Sequence, residues 1–336
     1  MEQLELAISE IRQALPGMTL LENEPMSAHS SFRIGGPVRA LALPGDVTSV
    51  SRICCILKEH KLAPMLVGNC TNILFPDEGL PELFLIGTEK LQNLFLLPDG
   101  AIYAEAGVSL SKLASFAQAN GLKGLEFASG IPGTVGGGVR MNAGAYGGEM
   151  KDVVESVVYY YLPDQTLYEM ARDNCKFAYR SSVFQSAAGF AILSAVFRLE
   201  PGDKDEIAAK MRELNERRRD KQPLDLPSAG SAFKRPEGHY AAALIDEAGL
   251  KGYAVGGAQV SEKHAGFVVN KGGASAKDVH ELMLHVRKTV WEKFQVALEP
   301  EIILLPPDYK LIDDGPVMHR NRVTVNDMSG ETQQEN

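Results

Sequence analysis

The chain has 336 residues, 45% of them apolar and 23% charged, which excludes disordered and fibrous classes and suits two or three domains. With 34 basic and 43 acidic side chains the formal charge is −9, a poor footprint for nucleic acid. No apolar run reaches the roughly eighteen residues of a membrane span, and the acidic start Met1-Glu2-Gln3-Leu4-Glu5 is unlike a secretory signal, so a cytoplasmic protein without membrane insertion is expected.

Apolar residues at Leu4, Ala7, Ile8, Ile11 and Leu15 predict an amphipathic helix at the start. A second helix is expected over 47–60, with Asp46 as its N-cap. The four cysteines, Cys54, Cys55, Cys70 and Cys175, have neither CxxC nor Cys/His spacing, so they read as reduced and no metal site is expected. Strands are expected at 64–67, ending on Gly68, and at 83–86 and 101–106. Ser109 should cap a helix carrying Leu110, Leu113, Phe116 and Ala117, closed by Asn120-Gly121. Further strands read at 153–161 and 190–199. Pro201-Gly202-Asp203 then opens a charged helix over 204–219 that ends in Arg217-Arg218-Arg219-Asp220-Lys221. Helices near 240–247 and 277–294, and strands near 254–260 and 267–270, complete the body. Past Pro306-Pro307 the sequence turns polar, and 325–336 reads as a mobile tail. Breaks near 75 and 201 divide the chain into 1–75, 76–200, 201–310 and a tail, 311–336.

Five segments have the residue types of a reactive site. Residues 130–148, GIPGTVGGGVRMNAGAYGG, contain eight glycines in nineteen positions, interrupted by apolar residues. Such backbone approaches a ligand closely and can form an anion nest suited to pyrophosphate, although tight turns between strands would use the same residues. The stretch matches neither a P-loop nor a strict GxGxxG. Val67-Gly68-Asn69-Cys70-Thr71-Asn72 puts small polar groups at the end of a strand, and two such loops suit one extended dinucleotide. Arg180 follows Tyr179 among small residues, where a delocalised cation can face a carboxylate. Ser231 lies in a glycine turn without the G-x-S-x-G elbow of hydrolases, which leaves a nucleophile role unsupported. Glu301 stands at the edge of an apolar strand, where burial would raise its pKa. His280 and His285 are five apart, the wrong spacing for a two-ligand face, and Trp291 is expected to pack in a helical core stripe with Val286, Val290 and Phe294.

His29-Ser30-Ser31-Phe32-Arg33-Ile34-Gly35-Gly36-Pro37, the Gly68 loop, GIPGTVGG followed by MNAGAYGG, Tyr179-Arg180, Gly230-Ser231 and Glu301 occur in one order from about residue 20 to 305. That series resembles the UDP-N-acetylenolpyruvoylglucosamine reductase (UDP-N-acetylmuramate dehydrogenase) family, in its short class without an inserted substrate lid. The resemblance implies an α+β fold: a two-part FAD-binding region of the vanillyl-alcohol-oxidase/PCMH type, then a C-terminal α+β substrate domain. It implies noncovalent FAD held by Gly68, Asn69, Cys70, Thr71 and Asn72, and by Gly130, Ile131, Pro132, Gly133, Thr134, Gly136, Gly137, Asn142, Ala143 and Gly144. It further implies NADPH as hydride donor and UDP-N-acetyl-3-O-(1-carboxyvinyl)glucosamine as substrate, reduced to UDP-N-acetylmuramate for peptidoglycan synthesis by a cytoplasmic monomer. Hydride would pass from flavin N5 to C3 and a proton from Ser231 to C2, with Arg180 stabilising the developing enolate and Glu301 as its acidic partner. Tyr179, Lys221 and Lys234 are the implied substrate contacts. Cys70 stands where the family usually has glycine, so its thiol methylene is expected to crowd the flavin loop. Two other readings share these motifs: an oxidase of the same superfamily, and a flavin- or nucleotide-sugar-binding module without turnover.

Overall fold

The computed structural model describes residues 2–186 and 189–305. The segment expected as a tail over 311–336, with its mobile part 325–336, lies outside them. Three mixed layers follow one another along the chain, each a sheet covered by helices.

The first sheet runs Thr19–Pro25, Pro37–Leu43, Leu80–Gly87, Met65–Val67, antiparallel at the first pairing and parallel at the other two. Its strands alternate between two buried faces, as period-two side chains must. Ala40, Ala42, Phe84 and Ile86 meet the helices Glu2–Ala14 and Val47–Glu59, whereas Val38, Leu41, Leu43 and Leu85 pack with Met26, Val67, Cys70 and Phe75. Both helices follow their sequence signals: Leu4, Ala7, Ile8 and Ile11 are buried, and the Asp46 carboxylate accepts from Ser49 N at 2.7 Å. Leu80–Gly87 completes this sheet, so the break placed near residue 75 falls inside the first layer.

The second sheet is antiparallel throughout, in the order Thr166–Ala171, Val154–Tyr161, Phe190–Phe197, Ile102–Glu105, Leu94–Leu96. The helix Leu110–Ala119, capped by Ser109, packs on it through Leu110, Leu113, Ala114 and Ala117. Tyr160, Ala191 and Leu193 on the opposite face join the core under the first layer's helices, which binds the two layers together.

The third sheet orders Ser228–Ser231, Phe267–Asn270, Ala258–Val260, Ala254–Val255 and is covered by Ala241–Glu247 and Ala276–Phe294. The single strand expected over 254–260 is a hairpin, because Gly256 takes φ +52° and reverses the chain. Phe32, Ile34 and Leu74 of the first layer enter this core, and Ile303–Leu304 returns to pair in parallel with Ile73–Leu74. The Asp77 carboxylate, also from the first layer, accepts from Ala276 N at 2.8 Å and Lys277 N at 3.2 Å. These contacts bring the end of the third layer back to the Gly68 loop.

Candidate active site

Residues 130–148 contain more regular structure than their glycines suggest. Thr134 caps a short helix, Val135–Arg140, and Gly144–Ala145 pairs with Gly148–Glu149 as a hairpin. Three glycines inside one helix cost about 1 kcal/mol each against alanine, so packing must hold it: Val135 and Val139 are fully buried, and Gly136 lies against Ala106. Ile131, Pro132 and Gly133 form the approach to this helix, facing residues 68–72. Thr71 Oγ1 donates to the Pro132 carbonyl at 3.2 Å, and a Cβ on Gly68 would stand 2.4 Å from Thr134 Oγ1. The two loops implied to hold the cofactor thus meet through backbone and small side chains, a surface whose donors are peptide groups and hydroxyls rather than fixed cations. Such a donor set fits a diphosphate and the flat rings of FAD.

Not every residue assigned to the cofactor faces that junction. Gly130 packs against Asn215 and Arg218 of the helix Lys204–Lys221. Asn142 is fully buried with φ +43°: its amide donates to Glu149 Oε2 at 2.7 Å and the Ala178 carbonyl at 2.9 Å, and its carbonyl accepts from Lys151 N at 3.0 Å. All its bonds join chain segments. The Cys70 side chain is buried with Met26, Leu41, Leu43 and Val67, and its thiol lies 3.6 Å from the Gly68 carbonyl of the same loop. Burial pushes that thiol up to about 12. Its backbone, at φ +46°, has the left-handed conformation that favours glycine.

The charged residues converge on Glu301. Arg180 Nε donates to Glu301 Oε1 at 2.6 Å, and Arg180 Nη2 donates to the Gly144 carbonyl at 3.1 Å. The guanidinium carbon lies over the Tyr179 ring, 5.1 Å from its centroid, within cation–π range, and the Tyr179 hydroxyl accepts from Arg235 N at 3.2 Å. Asn72 Nδ2 donates to the Glu301 carbonyl at 3.1 Å, so a residue assigned to the cofactor also holds the acid in place. Glu301 N donates to the Ala232 carbonyl at 2.9 Å, which puts the residue beside Ser231, at the end of Ser228–Ser231. Gly230 before it has φ +78° and makes the bulge that aims this strand end, a conformation other side chains resist.

Burial pushes the Glu301 carboxyl above its ordinary value, and that desolvation outweighs the opposing pull of Arg180 and Lys234. Lys234 reaches the same strand, its Nζ 2.6 Å from Glu299 Oε1. Lys221 ends its helix exposed to solvent, near His264, whose imidazole is held below its ordinary value chiefly by burial. The turn containing His264 accepts from Ala232 N through the Gly266 carbonyl at 2.8 Å, next to the Ser231 strand. Gln185, which carries no sequence signal of function, hydrogen-bonds the Arg180 carbonyl. Among the described residues, no group of three His, Cys, Asp or Glu side chains is placed to hold a metal, and no helix is long and apolar enough to cross a membrane.

A two-layered α+β region with converging small-residue loops, joined to a third layer that supplies a buried carboxylate, defines an FAD-binding oxidoreductase. The FAD binding domain family matches residues 38–170, and the UDP-N-acetylenolpyruvoylglucosamine reductase, C-terminal domain family matches 222–305. A UDP-N-acetylenolpyruvoylglucosamine reductase of Caldanaerobacter subterraneus is 46% identical over 89% of this chain and 97% of that one; that of Limosilactobacillus reuteri is 44% identical over 89% and 99%. The crystal structure of the Thermus caldophilus reductase, 33% identical, superposes with a TM-score of 0.72 over 86% of this chain and 99% of its own. The chain belongs to the UDP-N-acetylenolpyruvoylglucosamine reductase family and is an FAD-dependent oxidoreductase of peptidoglycan-precursor synthesis.

Proposed function

We propose that the protein uses NADPH to reduce the enolpyruvyl ether of UDP-N-acetylglucosamine, with Arg180, Ser231 and Glu301 as its catalytic residues. The observation that carries this reading is the 2.6 Å Arg180–Glu301 pair beside the Ser231 strand, tied to the cofactor loop through Asn72. FAD, when bound by the 68–72 and 130–144 loops, carries the hydride between the nicotinamide and the sugar nucleotide.

Arg180 is the anchor for the substrate carboxylate, where negative charge builds as C3 gains hydride. A carboxylate arriving at the guanidinium competes with Glu301 for it. Glu301 then sits buried without its cation, so its carboxyl climbs further and takes a proton, becoming a donor to the enolate. Ser231 delivers the proton to C2, completing the lactyl ether. Tyr179, with its ring 5.1 Å from the Arg180 guanidinium, and Lys234 and Lys221 are the proposed contacts to the sugar nucleotide, the lysines toward its diphosphate.

The protein works as a cytoplasmic monomer, and its three layers are three functional units with the first break after Gly87 rather than near 75; the second stays near 201. Support comes from the sheet memberships on either side of each break. Anaerobic mixing tests the reaction: NADPH should bleach the flavin absorbance, and the enolpyruvyl nucleotide should restore it. Restoration by oxygen alone would favour an oxidase, and absence of either change would favour a binding module.

A further inference from the structure

Arg180 acts from an unfavourable backbone. Ala178 and Ser181 exchange two backbone hydrogen bonds of 3.0 Å, which leaves Tyr179 and Arg180 as the tip of a two-residue turn, and Arg180 takes φ +52°. A non-glycine residue keeps this left-handed conformation only where its surroundings over-determine it. Two side chains fix the base of the turn: Asn142 Nδ2 on the Ala178 carbonyl at 2.9 Å, and Ser182 Oγ on the Arg140 carbonyl at 2.6 Å. Neither touches Arg180 itself.

Gln185 does. Its Nε2 donates to the Arg180 carbonyl at 3.0 Å and to the Arg140 carbonyl at 3.0 Å, with the Met141 sulfur also at 3.0 Å. Two carbonyls take the two N–H groups of one amide, and that acceptor pair fixes which way the amide points. Arg140 ends the helix Val135–Arg140, anchored by buried Val135 and Val139, and its own Nη1 donates to the Phe184 carbonyl, so the reference point is tied down by packing and by a hydrogen bond. We propose that Gln185 is a positioning residue for the reaction: its amide clamps the Arg180 carbonyl to the end of the glycine-rich helix and so aims the guanidinium. Functional groups must be held to within about 0.5 Å and 10–20° of the productive geometry, and the long arginine side chain magnifies any rotation of its turn. This inference rests on Arg180 being the substrate anchor.

Anaerobic stopped-flow absorbance of the bound flavin in Gln185→Ala, Gln185→Glu and Arg180→Ala tests it. Flavin reduction by NADPH should stay within about twofold in both Gln185 variants, because that half does not use the anchor. Reoxidation by saturating enolpyruvyl nucleotide should slow about 10–100-fold in Gln185→Ala, as for a reacting group misplaced by about 1 Å. Gln185→Glu keeps the shape but turns acceptors toward two carbonyls, so it should be slowed at least as much, with both variants folded and retaining flavin. Glu milder than Ala would make the residue simple packing, and equal slowing of both halves would make it a fold residue; either overturns the proposal. Parental rates in the Gln185 variants beside a slow Arg180→Ala would sink this inference alone. A parental rate in Arg180→Ala would sink the anchor reading and this inference with it.

Discussion

On the cofactor side, residues 68–72 and 130–144 meet through backbone: Thr71 reaches a carbonyl, and Gly68 lies where a methyl group would strike Thr134. On the acid side, Arg180 and Glu301 meet as side chains from segments 121 residues apart, over a strand that ends in Ser231. On the proposed reading the first surface would meet shape and phosphate charge largely with peptide dipoles that cannot be mutated away, so most side chains there should matter through bulk. On the same reading the second would concentrate its chemistry in three groups, and each should matter greatly for one half of the reaction. Substitutions on the two sides should therefore fail differently.

The largest effect is expected at Ser231. Ser231→Ala should leave flavin reduction by NADPH within about tenfold, a barrier change of roughly 1.4 kcal/mol, and slow reoxidation by the enolpyruvyl nucleotide by about 10²–10⁴-fold, the usual range for a positioned proton donor. Ser231→Cys should recover part of the loss. Equal slowing of both halves in stopped-flow traces would reduce Ser231 to a turn residue.

Gly68 tests the opposite side. An alanine Cβ would stand 2.4 Å from Thr134 Oγ1 and 3.2 Å from its methyl, and Thr134 is itself buried as a helix cap. Gly68→Ala should cost about 1–3 kcal/mol, as overpacking does, read as weaker FAD retention and a lower unfolding temperature. Thr134→Ala should restore part of it in the double variant. If the single variant holds FAD as tightly as the parent, the two loops do not close as described.

These contrasts also explain what could be read from the sequence. Short-range signals hold: Asp46 and Ser109 cap the helices they precede, because a cap needs only a side chain and an amide three residues on. The strands Thr19–Pro25 and Pro37–Leu43 went unread because TLLENEP is half polar and PVRALAL is buried on both faces, so neither alternates cleanly. Val135–Arg140 was hidden by its own glycines, which oppose a helix until tertiary packing supplies the difference. Arg180, Ser231 and Glu301 came together only through family resemblance, since no local pattern connects residues so far apart. Asn142, implied by the resemblance as a cofactor residue, also bonds the 149–151 and 178 segments, which no local pattern announces, and Gln185 has no local signal at all.

Glu301 is expected to give a smaller, pH-dependent effect. Its folded pKa is raised, so its contribution to stability is fully present below the unfolded value and is lost as pH rises through the folded one. Glu301→Gln abolishes that dependence. The unfolding temperature of the parent relative to the variant should therefore fall between pH 4 and 8. A relative rise would show that the charged pair with Arg180, rather than burial, controls this carboxyl.

Cys70→Gly should change least, because three effects of similar size oppose one another. Relieving a left-handed non-glycine residue at φ +46° is worth about 1–2 kcal/mol. Against it, glycine loosens the unfolded chain by about 0.4–1 kcal/mol, and removing a buried methylene and thiol forfeits about 1 kcal/mol of apolar burial. The variant should unfold within about 1 kcal/mol of the parent by denaturant titration and bind FAD as well or better, since backbone strain at the loop is removed while the side chain lost is one buried with Met26, Leu41 and Val67. A large loss of FAD affinity at unchanged stability would mean that the buried side chain fixes the loop through its packing with Met26, Leu41 and Val67. The cofactor side would then depend on a specific side chain as strongly as the acid side does, and the contrast between them would fail.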